Sequence, residues 1–124
     1  MYPPIFEICS SDVAVQAALG TMPCKLYLFG MAPQGVTLPY ATWQTVGGSP
    51  ENYINESPDV DSFGLQINCW ASTATKAREV AKALANSIES DNHATIVAWY
   101  GDSRDPETKN YGYSFAVDWF VPRN

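Results

Sequence analysis

Hydrophobic and polar residues alternate most cleanly over residues 62–70, where Phe63, Leu65, Ile67 and Cys69 fall on one side of an extended chain and Ser62, Gln66 and Asn68 on the other. A period of two sends successive side chains to opposite faces of a strand, so the segment predicts a strand with one buried and one wet face. The period then lengthens. Ala74, Ala77, Ala81, Leu84 and Ile88 recur at helical spacing while Lys76, Glu79, Lys82 and Asn86 fall opposite, which predicts a helix over 73–88 with Ser72 or Thr73 as its N-cap. Small alanines on the inner stripe let such a helix sit close to a sheet. Alternation returns over 111–121, with Tyr113, Phe115, Val117 and Trp119 on one face, and residues 25–29, 40–46 and 95–100 read as further strands.

The remaining segments read as caps, short helices and loops. Pro3 and Pro4 suit the first turn of a helix. Ser10 or Ser11 can cap a second short helix over 12–19, with Val15, Ala18 and Leu19 on one side and Gly20 ending it in a left-handed conformation. Residues 30–39 carry two prolines and two glycines and read as a loop. Residues 47–61 form a polar, acidic segment much longer than the two to five residues usual in a hairpin loop, and loops of that length are usually functional or disordered. A second charged loop is expected over 101–110. The order of elements gives an α+β fold, a mostly antiparallel sheet with one long helix and short N-terminal helices packed on one face. Gln44, Gln66, Asn68 and Asp118, mixed with aromatics, are expected on the other face, polar enough for water and apolar enough to meet a neighbouring subunit.

Size and composition narrow the function more than the fold. A chain of 124 residues is expected to form one domain, 1–124, burying about two-thirds of the surface its unfolded form exposes. With 46% hydrophobic and 16% charged residues it is globular, and four Trp and seven Tyr on a weakly charged chain favour protein contacts and self-association. A net charge of -6 and seven scattered basic residues argue against a reader of nucleic acid, whose affinity comes from Lys and Arg displacing counterions. Met1 leads into Tyr-Pro-Pro with no basic region behind it, and no apolar run approaches the roughly 18 residues of a membrane span, so neither export nor a membrane partner is expected.

Catalytic and metal chemistry find little support. Cys9, Cys24 and Cys69 are odd in number, lack CxxC spacing and are accompanied by one histidine, so they read as buried reduced thiols. The acidic run Glu51, Glu56, Asp59 and Asp61 lacks the alternating ligand pattern of a calcium loop and reads as a solvated loop. His93 has no nucleophile in a recognisable elbow beside it and reads as a turn residue, while Gly47-Gly48-Ser49 is not a phosphate loop. No catalytic residue, metal or cofactor follows from the sequence.

Four segments carry a family resemblance instead: MYPPIFEIC at the start, LYLFGMAPQGVTLPYATWQTVGGSPENY in the middle, DVDSFGLQINCWA before the long helix, and YGDSRDPETKNYGYSFAVDWFVP at the end. Together they resemble the tail terminator (tail completion) proteins of tailed bacteriophages and related prophages, over nearly the whole chain and in the right order. The resemblance implies a structural virion protein and no enzyme: a homo-oligomeric ring of six copies at the head-proximal end of the tail tube that ends tube polymerisation and offers a surface for head-tail joining. The partners it implies are further copies of the chain, the major tail tube protein and a head completion or connector protein, with double-stranded DNA passing through unread. Assembly would take place in the host cytoplasm. Partner contacts are expected in the two long loops, at Ser49, Glu51, Asn52, Tyr53, Glu56 and Asp59 in the first, and at Asp102, Arg104, Asp105, Glu107 and Lys109 in the second. A head-tail connector or other neck protein is the alternative within the virion. A small-ligand binder or enzyme is the alternative outside it, and would need a pocket with converging polar groups.

Overall fold

A computed structural model describes residues 3–51 and 60–122. The helices come first. Helix α1 (Ile5–Ser10) starts directly after Pro4, and α2 (Val13–Leu19) is capped by Asp12, whose carboxylate accepts from Ala14 N at 2.8 Å and Val15 N at 3.3 Å. The prolines therefore precede the first helical turn, and Asp12 takes the role expected of Ser10 or Ser11. Ser11 Oγ instead donates back to the carbonyls of Glu7 and Ile8, which closes α1. Gly20 ends α2 at φ 93, as a residue without a Cβ can.

The five-stranded sheet has the order β1-β2-β3-β5-β4, with β1 at Leu26–Leu28, β2 at Tyr40–Glu51, β3 at Val60–Ala71, β4 at Ala94–Arg104 and β5 at Tyr111–Pro122. All neighbours are antiparallel except β1, which lies parallel to β2. The connection over 29–39 carries the chain back far enough for that pairing. Lys25 Nζ ties the connection down, donating to the carbonyl and hydroxyl of Thr37 at 3.2 and 3.3 Å.

Helix α3 (Ala74–Glu89), capped by the Thr73 hydroxyl at 3.1 Å from Lys76 N, lies across β3, β5 and β4, while α1 and α2 continue the helical layer toward β1. Leu65, Ile67 and Cys69 of β3 and Phe115, Val117 and Trp119 of β5 meet Ala77, Val80, Ala81, Leu84 and Ile88 of α3, and all are buried. Phe63 and Tyr113, the outer members of the two predicted rows, pack at the core's margin.

Two expectations change. The loop expected over 47–61 is strand at both ends, since β2 runs on to Glu51 and pairs with β3 back to Val60, and residues 52–59 lie outside the described residues. The loop expected over 101–110 is likewise shorter, because β4 continues to Arg104. Polar composition suggested loops in both places, yet a strand at the end of a sheet can be polar when neighbouring strands satisfy its backbone.

Candidate assembly surfaces

The face of the sheet away from the helices is assembled by register. Gln44 lies opposite Gln66, Asn68 opposite Ser114, and Asp118 opposite both Gly64 and Thr95, so the four polar residues expected on this face share it. They are not loose. Gln66 Nε2 donates to Asn68 Oδ1 at 3.1 Å and Ser114 Oγ donates to the same oxygen at 2.7 Å, linking β3 to β5. Trp70 lies flat on Gly112: a Cβ there would come within 2.8 Å of the indole and 2.7 Å of Ser103 Oγ. Val46 and Phe120 add exposed apolar area to the same face.

The second expected loop proves to be a closed turn. Asp105 Oδ1 accepts from Glu107 N at 2.8 Å and Thr108 N at 3.2 Å, and its own amide donates to the Asn110 carbonyl at 2.9 Å. Lys109 takes a positive φ of 64, and its carbonyl accepts from Arg104 Nε at 3.2 Å, while the Arg104 guanidinium sits 4.7 Å from the Tyr111 ring centre. Asp102 points to α3, where Arg78 grips it with two hydrogen bonds of 2.9 and 2.5 Å. Those hydrogen bonds hold the Asp102 carboxyl below its ordinary pKa. Of the five residues expected to bind partners here, Asp102, Arg104 and Asp105 are engaged in shaping the strand end and turn. Glu107 and Lys109 are the two that project.

The first expected loop divides differently. Ser49 and Glu51 belong to β2, while Asn52, Tyr53, Glu56 and Asp59 lie outside the described residues. His93 occupies the turn between α3 and β4, with its amide 2.8 Å and its Nδ1 3.1 Å from Asp91 Oδ1. Burial pushes all three thiols up in pKa, Cys9 to about 12 with Ser87 opposing the shift, so none is a ready nucleophile at neutral pH. Among the described residues, no helix is long and apolar enough to cross a membrane.

Residues that the sequence did not single out form the sheet's two lateral margins. On β4, bulges leave Val97 and Tyr100 without a partner on β5, and Trp99 between them stacks 5.3 Å from Phe115 and 6.1 Å from Tyr113 by ring centres. Trp99 and Tyr100 remain 54% and 61% exposed. At the other margin, Phe29 and Met31 directly beyond β1 are each 67% exposed. An apolar run in β4 gave no hint of exposure, because a strand's place at the edge of a sheet is decided only by pairing.

Comparison with known proteins bears on what these surfaces serve. A family model described as tail completion protein gp17 matches residues 3–122. The chain belongs to this family. Tail completion proteins of this family are structural phage tail proteins, so the chain is a structural tail component and not an enzyme. Among solved structures, a chain of the virion of a native gene transfer agent particle shares the fold, with a TM-score of 0.65 at 13% identity, over 95% of this tail completion protein and 91% of that chain. No curated protein sequence matches.

Proposed function

We propose that this tail completion protein closes into a ring of six copies at the head-proximal end of the phage tail tube, ends the addition of tube subunits and offers the surface to which the head joins. Family membership over residues 3–122 carries the reading. The structure supports it with a rigid sheet whose open face and margins expose aromatic and apolar side chains suited to protein contacts. One head-to-tail contact repeated about an axis closes on itself and leaves no free end, which is how a ring differs from a growing tube. The fold shared with a chain of a gene transfer agent virion supports a place in the finished particle.

On this reading the partners are further copies, the major tail tube protein below and a head completion or connector protein above. Double-stranded DNA passes through the ring, and a net charge of -6 keeps the polymer from sticking. The 47–61 segment and the 105–110 turn are the contact points toward tube and head. The test is negative-stain microscopy of lysates from a phage lacking this protein. Abnormally long, headless tails are expected, and restoration by the supplied protein should bring back tails of ordinary length joined to heads. Tails of uniform ordinary length without the protein would exclude a role in termination.

A further inference from the structure

Both lateral margins of the sheet carry long uncharged runs in a chain of net charge -6, flanked by Lys25 before β1 and by Asp102 and Arg104 at the end of β4. Residues 94–101, which make most of β4, contain no charged side chain, and neither do residues 26–50, which supply β1, the connection after it and nearly all of β2. Backbone is available at the same places. Among the described residues, β4 pairs only with β5, and β1 covers the outer side of β2 only as far as Trp43, whose carbonyl accepts from the Phe29 amide at 2.8 Å. Edge strands of monomers are usually guarded by lysine, proline or a covering element. β4 has neither Lys nor Pro; its two bulges and the charges at Asp102 and Arg104 interrupt the edge, and between the bulges it presents Trp99, in contact with Phe115 and Tyr113, as an aromatic anchor.

We propose that the β4 margin of one copy, through Val97, Trp99 and Tyr100, docks against the β1–β2 margin of a second copy, through Leu28, Phe29 and Met31. The proposal rests on the ring reading and names the contact that would build it. The occupant is another copy because the two margins are different surfaces at opposite ends of one sheet, as a head-to-tail contact requires. Charge favours the same match: copies that each carry -6 repel, and contact is cheapest where both faces lack charge. A symmetric β4-to-β4 contact would leave Phe29 and Met31 uncovered.

Buried native thiols make the test direct, since Cys9, Cys24 and Cys69 are all inaccessible in the folded chain. Phe29→Cys and Tyr100→Cys each place one reactive thiol at an exposed position. The two variants, purified separately, are mixed and treated with a short bis-maleimide, then separated on a denaturing gel. Covalent dimers are expected in the mixture and not in either variant alone, and the double variant F29C/Y100C should give a ladder of higher multimers. Adding Val97→Lys to the double variant, which keeps both thiols, should abolish the ladder and shift sedimentation to the monomer. Dimers from Tyr100→Cys alone, with none gained on mixing, would overturn the proposal, as would the absence of mixed dimers up to the solubility limit. Rings seen by microscopy without mixed dimers reject this contact and leave the ring standing, whereas mixed dimers without rings keep the contact and reject closure.

Discussion

Gly112 shows how a single residue sets the open face of the sheet. It lies on β5 opposite Trp70 and Ser103, and the indole of Trp70 rests where any side chain would begin. The ring is a bulky, two-torsion side chain that must shift as a whole to make room. Gly112→Ala should therefore cost about 1–3 kcal/mol through overpacking, read as a lower midpoint in urea unfolding with an unchanged slope. Combining it with Trp70→Leu should recover part of that loss, because only the rotatable Ser103 hydroxyl would still stand in the way. The sequence marked neither residue, since a glycine inside an alternating strand signals a close approach without saying what approaches.

At the scale of elements, α3 is the piece whose pattern and placement agree most fully. Of the stripe Ala74, Ala77, Ala81, Leu84 and Ile88 read from the spacing, all but the half-buried Ala74 are buried, with Val80, Ala85 and Ser87 added where the helix packs against the sheet and α2. Leu84 is 1% exposed at the centre of that contact. Leu84→Ala should destabilise the protein by about 2–5 kcal/mol, measurable by equilibrium denaturation, and a change near the scatter of surface substitutions, about 0.5 kcal/mol, would place α3 elsewhere. Asp12 makes a smaller, local contribution to α2. Its replacement by alanine frees two helical amides and should cost about 0.5–2 kcal/mol, with Asp12→Ser retaining most of the stability.

For the molecule as a whole, the connection between β2 and β3 is the place where folding and the proposed docking can be tested apart. Glu51 and Val60 are paired, so a two-residue Asn-Gly turn has the right span to join them in place of residues 52–59. The pairing below the turn is untouched, and shortening a surface loop changes closure entropy slowly with length. The shortened protein should melt within a few degrees of the parent, yet fail to restore head joining when supplied to a phage lacking this protein. Full restoration would make residues 52–59 a passive spacer and move the docking surface to the sheet or to Glu107 and Lys109.

Periodicity alone determined that residues 62–70 and 111–121 are strands with Leu65, Ile67, Phe115 and Val117 inward, and that residues 73–88 are a helix, because burial on one side imposes a repeat that local sequence must obey. The α+β class followed from their order. Tertiary structure alone decided that β1 runs parallel to β2, that β5 inserts between β3 and β4, and that polar residues 47–51 and 101–104 extend strands. Each of those depends on which backbone lies alongside, and a hydrogen-bonded ladder is indifferent to side-chain polarity. The same reason separates the two kinds of candidate surface. Charged residues of the β4–β5 connection were legible as exposed, whereas Trp99 and Tyr100 became surface residues only when β4 was left as the last strand of the sheet.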